Sequence, residues 1–232
     1  MRLVGTNQVS LGSTIQGELM DEVYSSYVSD LIGRTVASLE KREFRAFSAK
    51  SGAEAREKIL DMIATGSTIG VGGSVTLRQI GLIEALESRG HTIYQRWGAQ
   101  PAHTTDMDSR RAQLTCDVFL SSSNAVTVEG ELVNVDGIGN RVAAMIFGPA
   151  KVIVVAGWNK IVPDVNAAIQ RIRNTAAPLN AKRLELNVPC AKTGHCLDCD
   201  VPDNMCRVTT IISRKPRRTD ISVLLIAEQL GF

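Results

Sequence analysis

The chain has 232 residues, of which 44% are hydrophobic, and its formal net charge at pH 7 is +2. This length and apolar content are sufficient for one large α/β domain with a sizeable core, and the small net charge gives no reason to expect nucleic acid as a partner. The apolar runs are far too short to span a membrane, and the first twelve residues lack the apolar core of a secretory signal. We therefore expect a cytoplasmic protein.

The first half of the chain alternates helical and strand patterns. Residues 1–16 are polar and rich in glycine and serine, which predicts a loose segment. Apolar residues at helical spacing over Glu18–Lys41 then predict one long helix. The elements predicted next are a strand over Phe44–Ala49, a helix from a capping box at Ser51 to about Ala64, a strand over Ser67–Val71, a helix over Val75–Arg89 and a strand over His91–Tyr94.

The turn Gly72-Gly73-Ser74 joins a predicted strand to a predicted helix, with Ser74 as the N-cap. Backbone N–H groups at a helix start favour an anion such as a phosphate or a carboxylate. A turn needed only for packing is the alternative. The dinucleotide fingerprint is matched only at its first two glycines, and the strand over His91–Tyr94 is not followed by the acidic residue that would hold a ribose. NAD binding is therefore not predicted.

A polar stretch, Trp97–Thr115, predicts a loop followed by a short helix. His103 with Asp106 and Asp108 could form a metal site or an acid–base pair, although a solvated loop is the favoured interpretation.

The middle of the chain, Asn124–Lys160, predicts a hairpin, a glycine turn, a short helix and a buried strand. The hairpin strands are Val126–Val128 and Leu132–Val135, Asn140 is the predicted N-cap of a helix over Arg141–Phe147, and the strand over Lys151–Ala156 is unbrokenly apolar from residue 152. Such a run is typical of a strand buried on both faces of a parallel sheet. A strand over Asp117–Leu120 precedes the hairpin and ends in Ser121-Ser122-Ser123-Asn124, where ordinary turn chemistry is the alternative to a ligand role.

The carboxyl ends of parallel strands are where α/β proteins place ligand groups. Two glycine turns meeting there could hold an anion by their backbone N–H groups, and Arg78, Arg141 or Lys160 would supply charge. The predicted ligand-binding residues are Gly72, Gly73, Ser74, Thr76, Arg78, Ser123, Asn124, Asn134, Gly137, Gly139, Asn140 and Arg141; the predicted catalytic residues are Glu129, Asp136 and Lys160. Glu131 is a further candidate base, and for both glutamates the alternative is an exposed hairpin tip.

The C-terminal third contains a predicted helix over Pro163–Asn174 that Pro178 ends, and predicted closing strands over Val208–Ile212 and Ile221–Ile226. Between them lie four of the five cysteines, Cys190, Cys196, Cys199 and Cys206, at a spacing of C-x5-C-x2-C-x6-C. Thiolates are soft ligands, and four of them suit an iron–sulfur cluster or Zn²⁺. The spacing favours a cluster slightly over zinc, and plain reduced thiols are the alternative.

The chain resembles the LUD-domain proteins, named for lactate utilisation, over about Arg34–Phe232. The most specific stretches are Val71–Gly81, Ser123–Met145, Gly157–Val162 and the cysteine segment. The resemblance implies one domain over residues 1–232 with a Rossmann-like, mainly parallel sheet, similar to the ribose-phosphate isomerase and CoA-transferase superfamily. An N-terminal helical segment (1–48) and a cysteine-rich insertion (187–210) would be added to it.

The resemblance also implies a role in oxidising L-lactate or a related hydroxy acid, beside iron–sulfur and flavin partner proteins. The chain lacks the full pair of ferredoxin-type cysteine motifs. The main hypothesis is an enzyme or enzyme subunit that binds a small anion, a hydroxy acid or a sugar phosphate, and forms a homo-oligomer. The alternatives are a ligand- or redox-sensing regulatory protein, an isomerase or transferase acting on a phosphorylated or CoA-linked substrate, and a structural subunit of an oxidase complex.

Overall fold

The computed structural model describes residues 10–97, 101 and 104–232, with side chains from residue 20 onwards. The helices are α1 (Ser10–Lys41), α2 (Gly52–Asp61), α3 (Val75–Gln79), α4 (Leu82–Ser88), α5 (Asp106–Ala112), α6 (Asn140–Ile146), α7 (Val165–Arg171), α8 (Ala177–Arg183) and α9 (Pro189–Thr193). The strands are β1 (Arg45–Ala49), β2 (Thr68–Val71), β3 (Thr92–Tyr94), β4 (Val118–Ser121), β5 (Ala125–Thr127), β6 (Leu132–Asp136), β7 (Lys151–Gly157), β8 (Ile161–Val162), β9 (Val208–Ile212) and β10 (Asp220–Ile226).

Six strands form the main sheet in the order β1-β10-β7-β4-β2-β3, and every pair is parallel. The apolar run of β7 lies at its centre, where residues 152–156 are fully buried. Residues of α2, α3 and α4 cover one face of the sheet, and residues of α1 and α6 cover the other. The predicted α/β fold with a mainly parallel sheet and an N-terminal helix is confirmed.

A second, four-stranded sheet has the order β8-β5-β6-β9. Strands β5 and β6 form the predicted antiparallel hairpin, and β9 pairs antiparallel with β6. Helix α7 packs on this sheet through Ala168. The sequence did not indicate a second sheet, because an apolar strand pattern does not specify which strand it pairs with.

Two helix predictions are wrong in their extent. Helix α1 begins at Ser10, so part of the segment expected to be loose is helical. The single helix expected over Val75–Arg89 is divided into α3 and α4, because Gly81 between them has a left-handed backbone with φ +66°. The backbone amide of Gly81 donates to the Arg78 carbonyl and closes α3 before α4 begins.

Pro178 does not end the helix that contains it. Helix α7 continues through a π-helical turn, Ile172–Ala176, into α8, and Pro178 lies in the first turn of α8. A proline inside an α-helix clashes with the carbonyl four residues earlier. The wider π turn directly before Pro178 relieves that clash, and the chain passes the proline without a break.

No helix in the described part of the chain combines the length and apolar content that a membrane crossing needs. The predicted grouping of His103 with Asp106 and Asp108 cannot be described, since His103 lies outside the described residues. Asp108 caps α5 together with Thr105, and Asp106 pairs with Arg110 at 2.9 Å.

Candidate functional site

A cavity of about 160 Å³ opens at the carboxyl ends of three neighbouring strands of the main sheet. The turn after β2, the serine-rich turn after β4 and Lys160 beyond β7 all line it. The opposite wall comes from the end of β6, the start of α6 and the π turn, and the cysteine segment contributes Met205 and Cys206. The cavity therefore lies at the edge where α/β sheets bind ligands, between the two sheets of the protein.

Lys160 is 4% exposed. Its Nζ donates hydrogen bonds to Thr76 Oγ1 at 3.1 Å and to Ser122 Oγ at 2.9 Å. No carboxylate of the described residues forms an ion pair with it. Each hydroxyl in turn donates to a backbone carbonyl, Thr76 to Leu230 and Ser122 to Ser123. A buried amine is thus held by two neutral oxygens at the wall of a cavity.

The surroundings of Lys160 lower its pKa to about 7. Burial is the largest cause, because it removes water from the ammonium, and the positive charges of Arg171 and Arg141 add to it. A neutral amine and an ammonium are therefore both populated near neutral pH.

Arg141 lies on the opposite wall and is fully hydrogen bonded. Its Nε contacts Asp136 Oδ2 at 3.1 Å. Its terminal nitrogens donate to four oxygens: Asn134 Oδ1 at 2.6 Å, Val135 O at 2.8 Å, Asn124 Oδ1 at 3.2 Å and Ser122 O at 3.4 Å. Burial lowers the pKa of Arg141, and the charge of Asp136 opposes that shift. Since a guanidinium has only five N–H groups, Arg141 contributes positive charge to the cavity without a free donor pointing into it.

Asp136 is occupied on both oxygens. Oδ1 accepts from the amides of Ile138 and Gly139 at 3.1 and 2.9 Å, and Oδ2 pairs with Arg141. This arrangement makes Gly139, with φ +92°, the N-cap of α6. The predicted N-cap, Asn140, is wrong because Asp136 already satisfies the turn.

The turn after β2 lines the cavity with Gly72, Gly73 and Ser74. The amide of Gly72 donates to Leu120 O at 2.9 Å, whereas the amides of Gly73 and Ser74 donate to no described residue. Gly73 has φ +59°. A side chain at Gly72 would place its Cβ 2.8 Å from Phe119 Cζ and 3.0 Å from Arg141 Cγ. Close packing therefore fixes Gly72, and two free donors follow it.

The family model of the LUD domain matches residues 32–226. The chain belongs to the LUD-domain family. Among solved structures, the crystal structure of a DUF162 family protein from Deinococcus radiodurans is similar, with 14% identity and a TM-score of 0.47 over 86% of this chain and 98% of that chain. A likeness of this size carries no conclusion about function. No curated protein matches the chain.

Several residues predicted for the site lie elsewhere in this LUD domain. Glu129 is exposed at the hairpin tip and lines neither this cavity nor its neighbour. Ser123, in contrast, lines the cavity, but its buried hydroxyl donates to Ala125 O at 2.7 Å. Arg78 is exposed, donates to Trp97 O at 2.9 Å and stacks on the Trp97 ring. Asn140 donates to Gln113 Oε1 at 3.0 Å and lines only the neighbouring cavity.

That neighbouring cavity, of about 500 Å³, shares Gly72, Gly73, Asp136, Gly137, Arg141, Asn180 and Met205 with the smaller one. One wall of it is basic and consists of Arg96, Arg183 and Arg207, with Trp97 beside them. The LUD domain therefore offers a small cavity beside Lys160 and a larger, basic space next to it.

Arg171 and Met205 are functional candidates that the sequence did not single out, and Ser122 was considered with its serine-rich turn but not chosen as a ligand-binding residue. Ser122 follows β4, and its hydroxyl contacts Lys160, whereas the predicted Ser123 turns into the protein. The alternation of side chains along an extended segment was the available signal. Met205 and Arg171 had none, because only the folded chain brings them to this edge.

The cysteine segment packs on the second glycine turn. The amide of Arg207 donates to Asp136 O at 3.1 Å, and a Cβ on Gly137 would lie 3.2 Å from Met205 Cα. Burial raises the pKa of the Cys206 thiol to about 11, and the charges of the other three cysteines of the segment add to that shift. Among the described residues, however, no group of three or more His, Cys, Asp or Glu side chains is placed to hold a metal ion.

Proposed function

We propose that this LUD domain binds a small anion, a hydroxy acid before a sugar phosphate, in the cavity beside Lys160. The observation that carries the proposal is the burial of Lys160 on a cavity wall without a described acidic partner. The family relates the chain to lactate utilisation, and this is the reason to place a hydroxy acid first. In that role the protein would be a subunit or accessory of lactate oxidation that works beside redox partner proteins.

The physical argument is charge compensation. An ammonium taken out of water is costly unless an opposite charge or several hydrogen bonds replace the lost hydration. Lys160 has two neutral partners, and the positive charges of Arg171 and Arg141 act on it from nearby. A bound carboxylate or phosphate would supply the missing negative charge. The free amides of Gly73 and Ser74 would donate to its oxygens.

Isothermal titration calorimetry with L-lactate, D-lactate and inorganic phosphate tests the proposal. We expect one of these anions to bind, and Lys160→Met to weaken that binding by about 10- to 100-fold, the worth of a hydrogen bond to a charged group. Lys151→Met is the matched control: Lys151 begins β7, the strand that Lys160 follows, and its Nζ donates to Met62 O at 3.0 Å, away from the cavity.

The proposal fails if none of the three anions binds, or if Lys160→Met binds as well as the unaltered chain does. Affinity should also fall as the pH rises through about 7, because the ammonium of Lys160 loses its proton there.

A second candidate, redox sensing, is favoured by the position of Cys206 on the wall of the same cavity. A change at this thiol would alter the cavity directly. The iron–sulfur cluster or zinc ion expected from the cysteine spacing stays a prediction. Iron, sulfide and zinc analysis of protein purified without oxygen tests the metal. A change of anion affinity after mild oxidation that Cys206→Ser abolishes tests the sensor.

A further inference from the structure

We propose that Lys160 is a nucleophile that forms an imine with a 2-oxo acid in this cavity. The inference rests on the proposed function, since it uses the same cavity, and it adds a covalent step and a substrate class. Its basis is the arrangement around Nζ, in which two hydroxyl oxygens and a cavity surround a buried amine.

A neutral lysine amine has two N–H groups and one lone pair arranged tetrahedrally around nitrogen. In this protein Nζ lies 3.1 Å from Thr76 Oγ1 and 2.9 Å from Ser122 Oγ. Each hydroxyl also lies within hydrogen-bond distance of a backbone carbonyl to which it can donate, at 3.4 Å for Thr76 and Leu230 and at 3.3 Å for Ser122 and Ser123. The two hydroxyls therefore act as acceptors from Lys160. The lone pair is left for the remaining position, on the side where Lys160 lines the cavity. An electrophilic carbon bound in the cavity would face it.

The state of the amine suits this chemistry. A lysine is a nucleophile only when neutral, and burial next to other cations is a known way to keep it so. Lys160 is buried, and Arg171 and Arg141 lower its pKa further. The same two arginines attract the carboxylate of a 2-oxo acid, and the amides of Gly73 and Ser74 are free to donate to it.

The step balances without an oxidant or a reductant. The Nζ lone pair attacks the carbonyl carbon, the C=O electron pair moves to oxygen, and the proton lost from nitrogen is taken up by that oxygen. The resulting hydroxyl leaves as water after it gains the second proton of the amine, while the nitrogen electron pair forms the C=N bond. Ser122 and Thr76, which lie at Nζ throughout, are the groups placed to pass these protons.

Trapping with pyruvate and cyanoborohydride at pH 7 tests the imine. Reduction would fix it as a secondary amine, with a mass increase equal to pyruvic acid less one oxygen atom. Peptide mapping should find this increase at Lys160, about 1,000-fold above the exposed lysines, since the neutral fraction of an amine follows its pKa. Urea-unfolded chain is the control, and Lys160 should lose its preference there. Lys151 is the internal reference.

Lys160→Arg separates binding from chemistry, because a guanidinium keeps the charge but forms no imine. Loss of the label with pyruvate binding retained in calorimetry supports the inference. Pyruvate or lactate binding to the unaltered chain without any label at Lys160 overturns the inference and leaves the proposed function standing. A label spread evenly over the lysines also overturns it, and failure of every anion to bind overturns both.

Discussion

Arg141 and Lys160 both line the cavity, Arg141 from helix α6 and Lys160 from the turn after β7. The N–H groups of Arg141 are all used: its guanidinium has an acidic partner in Asp136 and donates to side-chain and backbone oxygens around it. The surroundings of Lys160 have unused hydrogen-bonding capacity. Its amine has only two neutral partners, and the nearby amides of Gly73 and Ser74 have no acceptor among the described residues. The difference separates a cation that holds the fold from a cation that is available to a ligand.

The largest effect expected from this comparison is on the free energy of unfolding when Arg141 is replaced. Arg141→Met should lower the free energy of unfolding by about 3–5 kcal/mol, because it removes the only cation that forms an ion pair with the buried carboxylate of Asp136 among the described residues. Urea unfolding followed by circular dichroism measures this. The exposed pair of Arg45 with Asp220 is the control, and Arg45→Met should cost less than about 1 kcal/mol. Similar losses for the two variants would contradict the distinction.

Gly72 tests how tightly the turn after β2 packs on Arg141, since a Cβ at this position would meet Phe119 and Arg141. Gly72→Ala should destabilise by about 1–3 kcal/mol, the usual cost of overpacking a buried site. A Cβ added at Gly33 in α1 would meet no other atom within 4 Å. Gly33→Ala should therefore stabilise by up to about 1 kcal/mol through helix propensity. Equal unfolding midpoints in urea for both alanine variants would show that Phe119 and Arg141 leave room for a Cβ at Gly72.

Lys160→Met should act in the opposite direction to Arg141→Met. Removing a buried, incompletely compensated ammonium should raise the free energy of unfolding at pH 6 by about 1 kcal/mol, since a well-packed apolar side chain replaces a desolvated charge. Urea unfolding of the two variants side by side measures the sign. A loss as large as that of Arg141→Met would mean that Lys160 is a structural cation as well.

The last effect is a dependence of stability on pH. The unfolded chain keeps the proton of Lys160 up to about pH 10.5, whereas the folded chain loses it near pH 7. Between these values the unfolded state binds more protons, so the free energy of unfolding should rise with pH by about 1 kcal/mol per unit, relative to Lys160→Met. Unfolding curves of both proteins at pH 6, 8 and 9 measure the difference. A constant difference would place the pKa of Lys160 outside this range.

Much of the main sheet could be predicted because its signals are local. The apolar run of β7 and the glycine turn at Gly72–Ser74 each occupy a few consecutive residues, and both lie where they were expected. The second sheet could not be predicted, because pairing β9 with β6 joins segments far apart in the chain.

The candidate site was less predictable, for a related reason. Lys160 stands out at the end of an apolar strand, but its lack of an acidic partner depends on what the fold brings near it. Glu129 and Asp136 carry carboxylates and were natural candidates for catalysis. In the folded chain Glu129 is exposed at the hairpin tip, whereas Asp136 pairs with Arg141 and accepts from the Gly139 amide. Residue type alone cannot distinguish these fates.

The π turn at Ile172–Ala176 holds one residue more than an α-helical turn requires. Without that residue, every side chain beyond it would be rotated by about 100° around the helix axis. Before the turn, Ala168 packs on the second sheet, and after it Asn180 lines both cavities. The π turn therefore changes which side of the helix faces the protein, so that one continuous helical segment contacts the second sheet at one end and lines the cavities at the other.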